Sequence, residues 1–369
     1  MKILHVNGAR GYGGNEQQIL DIVSKLSELK VNNAVFCALN SELSTRLKPY
    51  PGIGVFTAVD KKFKNAVNRK EFKRVIAQFK PDLVHLHTSN SLTLYYFTAV
   101  LSSLDIPVVF SKKGMSSSMS FLSKYKYNYK GIDAIICVSQ TVKEAMKSLV
   151  MFEKNYNKLL VVPDGVDEER PMILKDSTAV LESNEKSVQI GNVANHDDSK
   201  DLPTLVRAVD HLVNELNYTD FRVHQIGMFR DKQSPEIVTL IKELNLGSHI
   251  KLYGFVEEAT RAYEEMDIFL MTSKREGGPS SLLEAMRFKK AVVSTRVGLV
   301  PDAVVNNETG FIVPPKDYKA LAEALLVLCR DKNLRDQYGE AGYAHFSKNF
   351  TAQQSARKTL DIYKKVLEV

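Results

Sequence analysis

The sequence predicts an α/β chain of two doubly wound, parallel-sheet domains in tandem. Three observations carry that reading. The chain has 369 residues, 44% of them hydrophobic, enough for two sizeable cores. Short β-branched runs alternate with longer amphipathic stretches, the pattern of parallel β-α-β units. A charged stretch with prolines and no clean period, residues 161–187, interrupts the series once.

The elements follow in order. KILHV, NNAVFCAL, DLVHLH, PVVFS and AIICVS read as the strands of the first half. NEQQILDIVSKLSEL, RKEFKRVIAQF and TVKEAMKSLV read as its helices, with apolar residues three and four apart. A second series follows the interruption: VQIGNVA, FRVHQIG, HIKLYG, DIFLMTS and AVVST as strands, with DLPTLVRAVDHLVNEL, PEIVTLIKELNL, ATRAYEEM and SSLLEAMRF between them. From Leu321 onward the pattern is nearly all helical. The expected organisation is a first domain over 1–165, a passage over 166–187, a second domain over 188–345, and a C-terminal helix over 346–369 that packs back toward the first domain. Open parallel sheets take ligands at the carboxyl ends of their strands, so two such domains facing each other imply a cleft.

Composition excludes several classes. No window approaches the roughly 18 consecutive apolar residues of a membrane span. The apolar run at the N-terminus is too short for a signal peptide and reads as a buried first strand, Ile3 to Val6. Cys37, Cys137 and Cys329 are few, odd in number and without C-x-x-C spacing, which points to a reducing cytoplasm rather than a disulfide framework. Residues 1–165 hold 23 Lys and Arg against 12 Asp and Glu, whereas the remainder holds 27 against 31. The basic half suits anionic partners, although no nucleic-acid-binding signature is present.

Two stretches carry candidate chemistry. Glycines 8, 11, 13 and 14 follow the first strand and precede a helix expected near Asn15, which suits close backbone approach to a phosphate or sugar. A dinucleotide fingerprint is disfavoured, because Glu16 stands where the final glycine belongs and Asn40 where the ribose-binding acid belongs. The second stretch is EGGPSSLLEAM, Glu276 to Met286. Gly277 and Gly278 free the backbone, Pro279 suits the first helical position, and Ser280 and Ser281 present unpaired N–H groups at the helix start. Glu276 and Glu284 flank that anion cradle. An ionised carboxylate only accepts hydrogen bonds, so both are expected to read hydroxyls, as on a sugar and a ribose either side of a diphosphate.

This spacing resembles the paired-glutamate motif of retaining glycosyltransferases of the GT-B fold, with its two Rossmann-like domains, above all glycosyltransferase family 4. The resemblance covers nearly the whole chain: GYGGNEQQILDIVSKL, PDLVHLHTS, DAIICVSQTVKEAM, KLLVVPDGVD, ANHDDSKDLPTLVRAV and AVVSTRVGLVPDAVVNNETGFIVPP are similar to further family segments. It implies Glu276 on the donor sugar near the reacting carbon, Glu284 on the ribose, the amides of Ser280 and Ser281 on the diphosphate, and Lys200 neutralising it. It also implies that Gly13 and Gly14 close over the diphosphate and that Glu16, His87 and Lys112 contact the acceptor. The implied reaction is hexosyl transfer from a nucleotide-diphosphate sugar to a glycan or lipid-linked acceptor with retention, in bacterial cell-surface polysaccharide synthesis, without nucleic acid and without a metal cofactor.

The chain departs from the family pattern at Asn195, where arginine is usual, at Lys113, where histidine is usual, and at Asp164, where asparagine is usual. Lys113 suits either of two roles: bringing charge to the diphosphate in place of the missing arginine, or reading an acidic acceptor or donor. There is no D-x-D, and His85 and His87 share a strand face without an evident third ligand. SKKGMSSSMSFLSKYKYNYKG, residues 111–131, interleaves five lysines with aromatics and suits an anionic membrane surface, with Lys124, Lys126 and Lys130 as contacts. Two other readings stay open: a non-catalytic sugar-nucleotide-binding subunit on the same fold, and a sugar-nucleotide epimerase.

Overall fold

The computed structural model describes residues 1–102, 104–114, 125–150, 153–169, 181, 187–256 and 259–368. The chain divides into two compact units, Met1–Asp167 with Thr351–Val369, and Glu168–Phe350. Most of the passage expected over 166–187, and the Met119, Phe121, Leu122 and Lys124 positions of the basic segment, lie outside the described residues.

In the first unit the chain runs β1 (Lys2–Asn7), α1 (Gly14–Glu28), β2 (Asn32–Cys37), α2 (Glu42–Arg46), β3 (Gly54–Thr57), α3 (Ala66–Phe79), β4 (Leu83–Leu86), α4 (Ser89–Ser102), β5 (Val108–Lys112), β6 (Ala134–Cys137), α5 (Gln140–Lys147) and β7 (Leu159–Val161). The seven strands order β3-β2-β1-β4-β5-β6-β7, and each recorded pairing is parallel. Successive residues of a strand face opposite ways, so β1 divides its side chains between two cores. Leu4 and Val6 join Phe36, Phe72, Val84, Tyr95 and Phe110 on one face, and Ile3 joins Leu83, Val109 and Ile136 on the other.

The second unit runs β8 (Val188–Val193), α6 (Leu202–Asp210), β9 (Phe221–Ile226), α7 (Ser234–Glu243), β10 (Ile250–Gly254), α8 (Ala259–Glu265), β11 (Ile268–Met271), α9 (Ser280–Arg287), β12 (Ala291–Thr295), α10 (Val300–Ala303), β13 (Gly310–Val313), α11 (Tyr318–Arg330) and α12 (Lys332–Asn349). Its six strands order β10-β9-β8-β11-β12-β13, again with parallel pairings. Ile190, Val223, Leu270 and Val293 from the strands and Leu205, Leu321, Leu325 and Leu328 from the helices form its core. The expected single helix over 201–216 changes at His211 into a π-helical turn ending at Glu215.

The change of unit near the C-terminus falls at 350/351, not at 345/346. Phe346 is a fully buried residue of α12 and so stays with the second unit. Thr351 starts the return, capping α13 (Ala352–Leu367) through a hydroxyl that accepts from the amide of Gln354. Buried Ala356, Ile362 and Tyr363 then set α13 into the first unit's core. The strand readings missed β3, β7 and β13, each at the end of its sheet and only three or four residues long.

Candidate active site

In the second unit the carboxyl end of β11 leads into the site. Thr272 and Ser273 are buried, and each fixes a neighbouring loop. The Thr272 hydroxyl donates to the carbonyls of Lys200 (3.1 Å) and Asp201 (3.3 Å), the latter a left-handed residue at φ +49°. The carbonyl of Ser273 accepts from the Thr295 hydroxyl at 2.6 Å, and the amide of Lys274 donates to the carbonyl of Ser199 at 2.9 Å. These bonds hold the Asp198–Lys200 turn against the loop that carries Glu276.

Glu276 lies within that frame, its side chain 10% exposed. Its Oε1 accepts from Lys200 Nζ at 2.6 Å and from Ser273 Oγ at 2.6 Å. Lys200 and Glu276, which the sequence assigned to separate tasks on a ligand, therefore form an ion pair with each other. An ammonium has three donors, so Lys200 keeps two for a further acceptor. Gly298 backs the turn. It sits at φ +53°, and a Cβ there would come within 2.5 Å of the carbonyl oxygen of Gly277 and 2.7 Å of that of Glu276. Sequence reading did not single out Gly298; its only signal was a glycine three residues past a buried strand.

Pro279 is one position earlier than expected. It is the N-cap of α9 at φ −70° and ψ 106°, and Ser280 is the first helical residue. The amides of Ser280 and Ser281 therefore have no acceptor within the helix, and the carbonyl of Pro279 accepts from the amide of Leu282 at 3.2 Å. Glu284, one turn on, is half-buried. Its carboxylate acts on buried Tyr263, whose hydroxyl is pushed well above its usual range, first by burial and then by that charge. Asn195 serves the fold: its Oδ1 accepts from the amide of Met228 at 2.8 Å and pins the segment after β9.

In the first unit the sequence-predicted residues gather at the carboxyl edge of the sheet, with some changed roles. Lys113 and Asp164 form an ion pair, with side chains 16% and 5% exposed. The lysine expected to replace the missing arginine thus has its charge answered by the other departure from the family pattern. Gly13, the N-cap of α1, is exposed, as are Gly11 and Gly14. Gly13 has an extended φ of −162°, and a Cβ on Gly11 would meet nothing within 4 Å. Gly8, by contrast, is required by packing, because a Cβ there would meet Asn90 and Phe63 at 2.8 Å. Glu16 is buried, and burial raises its carboxyl pKa against opposing hydrogen bonds from its own backbone, Asn7 and the backbone of Gly13.

His85 and His87 do have a third partner, His5. Parallel register places His5 opposite His85, and all three are at most 5% exposed. Their ring nitrogens lie within 4.8 Å of one another, an arrangement with the reach of a metal site. The rings already have other bonds. His5 Nδ1 and His87 Nε2 are 2.9 Å apart, His5 Nε2 faces Asn33 Oδ1 at 3.1 Å, and His85 is held by the Tyr363 hydroxyl and Ser111 Oγ at 2.5 and 2.8 Å. Burial lowers the pKa of all three, that of His5 to about 4, and neighbouring imidazoles and Lys113 lower those of His85 and His87 further. The cluster is neutral at pH 7. His87 Nδ1 alone lacks a partner among the described residues.

Lys126 differs from its expected role as a membrane contact. It is 6% exposed, and its Nζ donates to Ser89 Oγ (2.7 Å) and Thr93 Oγ1 (3.1 Å) on α4. Lys112 is half-buried, with its Nζ 5.7 Å from the centroid of the Tyr127 ring.

Two parallel-sheet units, with a glycine turn and helix start at the carboxyl end of β11, are the architecture of GT-B glycosyltransferases. The family description Glyco_transf_4, Glycosyltransferase Family 4, matches residues 12–170, and Glycosyl transferases group 1 matches residues 175–345. The chain belongs to this glycosyltransferase family. It is 25% identical over 307 residues to glycosyltransferase MJ1178 of Methanocaldococcus jannaschii, covering 80% of this chain and 78% of that protein. It is 34% identical over 110 residues to the capsular polysaccharide biosynthesis glycosyltransferase CapM of Staphylococcus aureus, a match spanning 30% of this chain and 29% of that protein. Among solved structures, Anabaena Alr3699/HepE in complex with UDP superposes with a TM-score of 0.81 at 17% identity, covering 99% of this chain and 100% of that one.

Proposed function

We propose that the chain is a retaining glycosyltransferase that moves a hexose-like unit from a nucleotide-diphosphate sugar to a glycan or lipid-linked acceptor, in bacterial cell-surface polysaccharide synthesis. The observation that carries this reading is the Glu276 turn, a carboxylate fixed by Ser273 and Lys200 directly before the free amides of Ser280 and Ser281. The amides and the two remaining Lys200 donors suit a diphosphate leaving group, and Glu276 and Glu284 suit sugar and ribose hydroxyls. Gly11 and Gly13, which neither packing nor backbone conformation requires, fit a loop that a ligand approaches closely.

In this reading the acceptor oxygen attacks the anomeric carbon on the face the diphosphate leaves. The carbon–oxygen bond to the diphosphate breaks, and a leaving phosphate oxygen takes the acceptor proton. Lys200 and the α9 amides stabilise the charge that develops on the leaving group, and the fixed loops supply position. These residues neutralise the diphosphate without a metal. The three buried, unpaired cysteines suit the cytoplasmic side of the membrane, where the enzyme acts as a peripheral protein.

The test is release of nucleoside diphosphate from a panel of nucleotide sugars, preceded by thermal-shift screening with UDP, GDP and ADP. Turnover that disappears in Glu276→Ala supports the enzyme. Binding without turnover for every donor and acceptor tried supports a sugar-nucleotide-binding subunit instead. That second reading is favoured by one pair of observations: Asn195 is committed to Met228, and Lys113 is committed to Asp164.

A further inference from the structure

We propose that Lys112 and Lys126, with the first turn of α4, bind a phosphate ester or diphosphate carried by the acceptor; this rests on the glycosyltransferase reading above. Lys112 ends β5, and α4 begins just beyond β4, the strand that pairs with β5. The group therefore lies at the carboxyl edge of a parallel sheet, one strand from the β1–β4 position where the strand order reverses, the place such sheets bind ligands.

The charge pattern there is one-sided. Lys126 is buried, yet its hydrogen-bond acceptors are the neutral Ser89 hydroxyl, Thr93 hydroxyl and Ser89 carbonyl. Lys112 and Lys126 both bring their Nζ within 6 Å of the Tyr127 ring centroid, at 5.7 and 5.8 Å. Among the described residues neither lysine has a carboxylate at ion-pair distance, and the charged groups acting on Lys126 are Lys64 and Lys112. Buried cations are ordinarily paired, so like charges gathered without an acid mark a place for an anion from outside. Ser89 and Asn90 are exposed at the first two positions of α4, where the amides have no intrahelical acceptor. Two ammonium groups, Lys112 with donors to offer and Lys126 contributing charge because its three donors are spent on Ser89 and Thr93, and a helix start match a phosphate or diphosphate better than a singly charged carboxylate.

Inorganic pyrophosphate, titrated by calorimetry at fixed ionic strength into the full chain with Lys200→Met in place so that the second unit's diphosphate cation is absent, is the probe, and the first-unit variants are made in that background. Lys112→Met is expected to weaken binding about tenfold, Lys112→Arg to retain it, and Lys126→Met to weaken it at least as much. Lys200→Met removes the donor-side cation, abolishing donor hydrolysis while leaving this pyrophosphate site, so failure here and failure of the enzyme reading are told apart. Phosphatidylcholine vesicles with and without geranylgeranyl diphosphate identify the source. Lys112-dependent retention on the diphosphate vesicles assigns the group to a lipid carrier; pyrophosphate binding without retention assigns it to a soluble phosphorylated glycan. Unchanged pyrophosphate affinity in folded Lys112→Met and Lys126→Met, or no pyrophosphate binding left in Lys200→Met, overturns the proposal.

Discussion

The carboxyl edges of the two sheets hold charge in opposite ways. In the second unit cations stand beside acids: Lys200 on Glu276, and Lys274 and Arg275 on Asp198. In the first unit Lys113 is paired with Asp164 and lies near three histidines held neutral, but Lys112 and Lys126 have no acid at ion-pair distance among the described residues. A prepaired lysine and glutamate, fixed by buried hydroxyls, offer a ligand both signs of charge without reorganisation. An unanswered group of lysines offers only one sign. The contrast suits an edge that reads a sugar with its diphosphate and an edge that reads an anion.

The largest effect is expected from breaking the second unit's pair. Glu276→Ala leaves Lys200 without its acid and removes the hydroxyl acceptor. Turnover should fall by about 10²–10³ while nucleotide affinity changes little, measured by steady-state kinetics and calorimetry. Equal loss in binding and turnover would place Glu276 in ground-state binding instead.

Next is the first unit's own pair. Lys113→Ala or Asp164→Ala leaves one buried charge uncompensated and should destabilise by about 3–5 kcal/mol. The double change Lys113→His with Asp164→Asn should recover most of that loss, since it removes both charges together. A double variant as unstable as the singles would show that the ion pair is not the coupling between these positions.

The histidine cluster tests neutrality by pH. The folded pKa of His5 is lowered to about 4 from an ordinary 6.5, so the unfolded chain takes up a proton that the folded chain refuses. Stability is fully present above about pH 6.5 and falls as pH drops toward about 4, by roughly 1.4 kcal/mol per pH unit for this group. His85 and His87, shifted in the same direction, steepen the fall. His5→Gln should flatten the slope of denaturation midpoint against pH; an unchanged slope would mean that His5 does not titrate on unfolding.

The smallest effect tests the backing of the Glu276 turn. Gly298→Ala forces a side chain into left-handed backbone against two carbonyls, and about 1–3 kcal/mol of stability should be lost from the second unit. Activity should fall with it as the Glu276 turn shifts. The unfolding transition and the donor hydrolysis rate check both.

Much of this was legible in the chain. Central strands read clearly, because burial on both faces demands apolar runs such as those of β1, β2 and β12. End strands β3, β7 and β13 did not, since three or four residues with one covered side carry little pattern. The EGGPSSLLEAM turn was legible because glycine, proline and a helix start are local signals, although Pro279 caps the helix instead of beginning it. Partners were not legible. Glu276 and Lys200 are 76 residues apart, and Lys113 and Asp164 are 51 apart.

The sequence by itself determined the fold class, the family and the glycine-proline turn before α9, because periodicity, turn chemistry and motif spacing act over a few positions. Only the tertiary structure decided which charge answers which. Parallel register set His5 opposite His85, and packing against α4 buried Lys126. Loop closure set Lys200 on Glu276 and Lys113 on Asp164. Electrostatic pairing depends on distance in space, and the chain order does not encode that distance locally.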